Sequence, residues 1–191
     1  MDLFTREIHN VFNGELAKEL YPTCREILDN TNEDSRYLFG KTTFWQQSIM
    51  KENMYKFVNF FKFVDKESRK FLDKLDIDIE DKEIHITDFW VSEMYKGGSH
   101  STHVHSPENH LSGNFYIHAE PNSSNIVFTR DMHGDLLHFI KRKKQTKYNT
   151  TEWSFPPEPG RLLMWESDLM HNVEQNQSDS RISLTYNLRI V

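Results

Sequence analysis

Cysteine is almost absent: Cys24 is the only one in 191 residues. That excludes a disulfide framework and a cysteine-rich zinc site, so a bound metal must use His, Asp or Glu. No stretch approaches the roughly 20 consecutive apolar residues of a membrane helix. The start, Met1-Asp2-Leu3-Phe4-Thr5-Arg6, lacks the charged and apolar regions of a secretory signal. An excess of basic charge is lacking too. The net charge is -6 and neither half of the chain is basic, which argues against nucleic acid as a partner. Internal repeats and low-complexity tracts are absent. These absences predict a soluble protein of a reducing cytoplasm, without a membrane partner.

Apolar residues make up 37% of the chain, with 14 Phe, 7 Tyr and 4 Trp, enough to build one core. The length fits a single domain over 1–191. Up to residue 83 the pattern is mainly helical. Val11, Leu16, Leu20, Ile27 and Leu28, then Met54, Phe57, Phe60, Phe61, Phe63, Val64, Phe71 and Leu75, recur roughly every three or four residues. From Ile84 the pattern changes to short alternating or apolar runs: Ile84 to Tyr95, Leu111 to Ala119, Asn125 to Thr129, Arg161 to Trp165 and Arg181 to Val191. Turns are expected at Lys96-Gly97-Gly98-Ser99 and at Pro156-Pro157-Glu158-Pro159-Gly160. Asp131 to Trp153 reads as a long connection with a helical turn at Asp135 to Ile140, and its run Lys141-Arg142-Lys143-Lys144 as solvated. The fold class is α+β, a helical layer followed by a mostly antiparallel β unit.

Eight of the ten histidines lie beyond residue 99. Within them, His103-Val104-His105 stands out. Residues two apart on a strand share a face, so both imidazoles can reach one ion. His171, after the strand Leu162 to Trp165 and the turn Glu166-Ser167-Asp168, is the candidate third ligand. His100, His110, His118, His133 and His138 read as surface or hydrogen-bonded residues, although His110 has a place near the mouth of such a site. Trp90, Trp153 and Trp165 read as core, and Cys24 as an inert apolar residue.

Ten residues after His171, Arg181 opens the cleanest period-2 segment. Ile182, Leu184, Tyr186, Leu188 and Ile190 share one face; Arg181, Ser183, Thr185, Asn187 and Arg189 share the other. The polar face is either outside and wet or inside, lining a polar pocket. In the second case Arg181 and Ser183 would clamp a carboxylate, since a guanidinium binds one in planar, bidentate fashion. Asn114, Tyr116 and His118 offer a similar face, with the Tyr116 hydroxyl able to donate to the same carboxylate.

The ordered set His103-x-His105, Leu111-Ser112-Gly113-Asn114-Phe115-Tyr116-Ile117, Pro157-Glu158-Pro159-Gly160-Arg161-Leu162-Leu163-Met164-Trp165, and His171 with Arg181-Ile182-Ser183 resembles the Fe(II)/2-oxoglutarate-dependent oxygenases. The resemblance is to a small bacterial and phage branch related to the prolyl 4-hydroxylases. It covers about residues 84 to 191. It implies a double-stranded β-helix (jelly-roll) barrel over 84–191 with the helices of 1–83 packed on it. It also implies Fe(II) held by His103, His105 and His171, and 2-oxoglutarate bound by Arg181 with Tyr116, Ser183, Thr185 and Asn114. Tyr95 is implied near the cosubstrate. The expected activity is O2-dependent hydroxylation of a peptide (prolyl) or small-molecule substrate with release of succinate and CO2, in a host's cytoplasm if the gene is from a phage.

One departure stands out. The family triad is His-x-Asp/Glu with a distant His, and here His105 replaces the carboxylate. Glu108 and Asp131 are the alternative carboxylates. Two other readings remain at this level: a three-histidine cupin-type metalloprotein that needs no oxoacid, and a barrel that binds without catalysing.

Overall fold

The computed structural model describes residues 6–130, 140–141, 143–147 and 149–191. In chain order they form β1 (His9–Phe12), α1 (Gly14–Asp29), β2 (Gly40–Thr42), α2 (Gln47–Asn53), a 3-10 turn (Met54–Phe57), α3 (Val58–Lys74) and β3 (Ile84–Met94). Then come β4 (His100–His103), β5 (Leu111–Ala119), β6 (Ile126–Thr129), β7 (Glu152–Phe155), β8 (Arg161–Glu166), β9 (His171–Val173) and β10 (Arg181–Ile190). The strands make two antiparallel sheets, of order β1-β8-β5-β10-β3-β2 and β4-β9-β6-β7.

Helix α1 starts where the Asn13 side chain accepts a hydrogen bond from the Leu16 amide, satisfying one of the free N–H groups of the first turn. Its stripe Leu16, Leu20, Cys24, Ile27 and Leu28 is buried, as are Phe60, Val64, Phe71 and Leu72 of α3. These pack with Val91, Phe115, Leu162, Leu184, Tyr186 and Leu188 on one face of the larger sheet. Each large side chain there contributes about 1.5–3 kcal/mol through burial. Gly113 on β5 is required by this packing, because a Cβ there would lie 2.2 Å from the Tyr186 hydroxyl.

Alternation along β10 resolves the question of its polar face. Ile182, Leu184, Tyr186 and Leu188 are fully buried against the helices, and Arg181, Ser183 and Asn187 are buried on the opposite side, facing the smaller sheet. Between the sheets lies a cavity of about 450 Å³.

The structure departs from the sequence-based expectations in several places. Residues 1–83 supply two strands as well as helices, β1 and β2, which form the edges of the larger sheet. Both are short enough to leave little periodicity to read. Strand β4 ends at His103, so His105 lies in the following coil rather than on a strand shared with His103. His171 opens a further short strand, β9, and β7 overlaps the end of the expected connection. Glycines fulfil both expected turns, with φ of 92° at Gly97 and 89° at Gly160. Asp131, His133, His138 and nearly all of the turn expected at Asp135 to Ile140 lie outside the described residues. Lys141, Lys143 and Lys144 are exposed. Among the described residues no helix is long and apolar enough to cross a membrane.

Candidate metal centre

Three imidazoles meet at the cavity. In the register of the smaller sheet His103 lies directly opposite His171. The backbone amide of His105 donates to Ser167 O at 2.9 Å, which holds the coil after β4 over the end of β8. One ring nitrogen from each of His103, His105 and His171 lies within 4.8 Å of the others.

Each ring is oriented by an acceptor at its Nδ1. His103 Nδ1 donates to Ser101 O at 2.9 Å, and His171 Nδ1 to Leu169 O at 2.9 Å. His105 Nδ1 lies 2.5 Å from Asn187 Oδ1, which also accepts from Ser112 Oγ at 2.8 Å; Ser112 in turn contacts Ser167 Oγ at 2.7 Å. A carbonyl oxygen can only accept, so the proton of each imidazole sits on Nδ1 and the Nε2 lone pair is free to bind a metal. Burial lowers the pKa of His171 to about 3 and of His103 to about 4, and lowers that of His105 despite its bond to Asn187. The rings are therefore neutral at neutral pH, the form that binds a metal.

The fit to a cation is visible in one contact. His105 Nε2 and His171 Nε2 lie 3.3 Å apart while both Nδ1 atoms donate elsewhere. Two lone pairs thus face each other across a gap that a shared cation would satisfy. Of the alternative carboxylates, Glu108 does not contribute, being exposed and paired with Arg189 at 3.3 Å; Asp131 lies outside the described residues.

Arg181 lies further along the same cavity, almost fully buried. Its Nε donates to Ser124 O at 3.1 Å and its Nη2 to the Tyr116 hydroxyl at 3.2 Å. The rest of the fork has no carboxylate partner among the described residues, which suits it to a ligand acid. Ser183, Thr185 and Asn114 line the same wall, with Thr185 Oγ1 donating to Asn114 Oδ1 at 2.9 Å.

Tyr95 does not join them. Trp90, Ser92 and Met94 of β3 line the cavity, so alternation turns Glu93 and Tyr95 to the other side. There Tyr95 lies near Glu93, whose carboxyl forms the 2.7 Å ion pair with Arg25; burial and that carboxyl together raise the Tyr95 pKa. His110 is likewise taken elsewhere, with Nδ1 accepting from the Ile190 amide, and the His118 ring lies tilted against Tyr21 at 5.5 Å.

Sequence reasoning missed Tyr37, Thr42, Phe44, Trp45 and Asp88, which also line the cavity. Tyr37, Phe44 and Trp45 lie outside any strand and follow no period. Asp88 shares the face of Trp90, a signal available once β3 was assigned. Trp90 lines the cavity rather than the core, and Trp153 is exposed; Trp165 is buried as expected, its ring 4.9 Å from that of His171.

The family described as "Putative 2OG-Fe(II) oxygenase" matches residues 88–187, just over half of the chain, from Asp88 in β3 to Asn187 in β10. The chain belongs to the 2OG-Fe(II) oxygenase family. It is an enzyme of that family, dependent on iron and 2-oxoglutarate. No curated protein sequence matches significantly. Solved structures with TM-scores above 0.5 share the fold of this oxygenase at low identity. A Pseudomonas putida prolyl-4-hydroxylase is 15% identical, with 98% of this chain and 95% of that one covered at a TM-score of 0.62. The non-heme alpha ketoglutarate dependent epimerase SnoN from nogalamycin biosynthesis is 10% identical, with 97% and 77% covered at 0.66. An oxidoreductase of the 2OG-Fe(II) oxygenase family from Burkholderia pseudomallei is 16% identical over 64% of this chain at 0.47, and the oxygenase described here spans 51% of it.

Proposed function

We propose that this oxygenase holds Fe(II) through Nε2 of His103, His105 and His171, and binds the distal carboxylate of 2-oxoglutarate at Arg181. Tyr116, Ser183, Thr185 and Asn114 complete that end. The chain is then one domain, a double-stranded β-helix carrying the N-terminal helices on its outer face. The observation that carries the proposal is the pairing, in one cavity, of three converging imidazole lone pairs with a buried guanidinium that has no carboxylate partner among the described residues.

Bound there, iron and 2-oxoglutarate would supply O2-dependent hydroxylation, with one oxygen atom of O2 ending in succinate, the other in an alcohol made from a substrate C–H bond, and CO2 released. The chain's own residues do the rest. Ser101, Asn187 and Leu169 hold the three rings in their metal-binding tautomer. Arg181 fixes the oxoacid by its far end, and Trp165, Trp90, Phe44 and Ile126 wall the cavity with apolar surface that limits water. With His105 in place of a carboxylate, the ligand set would be neutral, and of the oxoacid's two carboxylates only the one not held by Arg181 would offset the charge of the ion.

The cavity is roomy enough for a five-carbon diacid and a substrate group beside it. A peptide side chain, as in the prolyl-4-hydroxylase, or a small molecule, as in the epimerase, both suit its open mouth. A buried lone thiol accords with a cytoplasmic setting.

The test is anaerobic addition of Fe(II) and 2-oxoglutarate to the metal-free protein. A charge-transfer band in the visible that needs both His171 and Arg181, and succinate release on admitting O2, is the expected result. A colourless mixture with no 2-oxoglutarate binding overturns the proposal.

A further inference from the structure

We propose that the substrate presents a cationic nitrogen, an amine or a guanidinium, to Asp88 at the mouth of the cavity, beside Trp90 and Phe44. This inference rests on the 2-oxoglutarate oxygenase assignment above and adds the chemical class of the substrate.

The position of Asp88 comes first. It is the outermost of four β3 residues, with Trp90, Ser92 and Met94, that alternation turns into the cavity. In the sheet register Asp88 lies opposite Asn187, the residue that orients His105, while Arg181 lies opposite Met94. Six residues of strand, roughly 20 Å at ~3.3 Å per residue, separate the two levels. Asp88 is thus beside the imidazoles and far from the guanidinium that takes the oxoacid. Its charge is close enough to act on the His105 ring.

The charged side chains are the second argument. Among the described residues lining the cavity, Asp88 is the only carboxylate and Arg181 the only guanidinium. Arg181 faces the distal carboxylate of 2-oxoglutarate. Asp88 is exposed, and its side chain has no hydrogen-bond or ion-pair partner among the described residues, so at the mouth it is open to a cation carried by the substrate.

The surrounding surface supports a cation in particular. Phe44 packs edge-on to Trp90 at 4.9 Å and to Trp45 at 5.2 Å, and both Phe44 and Trp45 remain well exposed at the opening. Aromatic faces next to a carboxylate attract an ammonium or guanidinium through the ring quadrupole, while the methylene stem gains apolar contact. This rim already shows that capacity: the Arg36 guanidinium sits 4.3 Å from the Trp45 ring.

The experiment compares N-acetyl-lysinamide and N-acetyl-argininamide with their uncharged counterparts, N-acetyl-norleucinamide and N-acetyl-citrullinamide. Free lysine and the pentapeptide Gly-Gly-Lys-Gly-Gly separate a small-molecule source of the cation from a peptide one. Binding is read by tryptophan fluorescence of the metal-free protein and by change in the visible band of the Fe(II) and 2-oxoglutarate complex under anaerobic conditions. Cationic probes are expected to bind at least about tenfold tighter than neutral ones, a difference of ~1.4 kcal/mol. Asp88→Asn should erase that preference, and Asp88→Lys should reverse it toward N-acetyl-glutamate amide. Equal binding of charged and neutral probes, or a preference that survives in both variants, overturns the inference. A protein that forms no visible band fails the oxygenase assignment itself, whereas a protein that forms the band and ignores cations fails only the substrate class.

Discussion

His105 Nε2 and His171 Nε2 face each other at 3.3 Å, and each ring gives its Nδ1 proton to an oxygen elsewhere. With no proton left for either Nε2, the pair is electrostatically unfavourable unless a cation joins it. Removing either ring should therefore relieve that repulsion as well as abolish metal binding. His171→Ala and His105→Ala are expected to lose stoichiometric iron, measured by metal analysis after anaerobic loading, while unfolding at the same or a higher denaturant concentration than the metal-free parent. Retained stoichiometric iron in His171→Ala would rule the site out.

Asn187 acts on the metal through His105. Asn187→Ala deletes the acceptor for His105 Nδ1 and leaves Ser112 with only Ser167. Metal affinity should fall about 10–100-fold, the usual cost of losing an orienting partner. Asn187→Asp keeps an acceptor and should recover most of it. Titration of the metal-free proteins with Co(II) distinguishes the three.

Arg181→Ala should weaken 2-oxoglutarate binding about 100-fold, corresponding to ~3 kcal/mol for a charge-assisted bidentate contact. Iron content should be unchanged, because the guanidinium touches none of the imidazoles. Arg181→Lys should rescue only partly, since an ammonium cannot reproduce the fork. Equilibrium dialysis with labelled 2-oxoglutarate provides the measurement.

The Arg25–Glu93 pair, with Ser180 Oγ donating to the same carboxyl at 2.7 Å, ties α1 to the back of β3. Burial raises the Glu93 pKa, but Arg25 and Ser180 outweigh it and hold the carboxyl below its ordinary value. A carboxyl so lowered contributes stability above its unfolded pKa, and that stability is lost as pH falls through the folded value. Arg25→Ala should thus cost about 2–3 kcal/mol at pH 7.5, at or below the low end for a broken buried pair because Arg25 is partly exposed, and clearly less at pH 4. Urea unfolding at both pH values checks it; an equal loss at the two would refute the charge argument.

Gly113→Ala places a Cβ 2.2 Å from the Tyr186 hydroxyl and 2.8 Å from Leu163 O. Backbone on one side and a fully buried ring on the other leave no room to yield. A loss of about 1–3 kcal/mol is expected, seen as a lowered melting temperature.

Much of the fold was legible because strong alternation survives in β3, β5 and β10, and a regular apolar stripe in α1 and α3. Those patterns report burial, and burial is what sequence periodicity encodes. Strands of three or four residues, such as β1, β2, β4 and β9, are too short to carry a period, so their pairing rests on contacts with distant segments. The histidine pair, the distant His171 and Arg181 could be named from residue type and spacing.

What the chain determined by itself was therefore chemistry and periodicity: a cysteine-poor, histidine-rich C-terminal half and a β10 with one polar face. Only the tertiary structure decided that this polar face points inward, that Tyr95 turns away with Glu93, and that Asp88, Trp90 and Phe44 border the imidazoles. The reason is physical. Alternation tells which residues share a face, but only the second sheet, closing over β10 and β3, makes one of those faces the wall of a cavity.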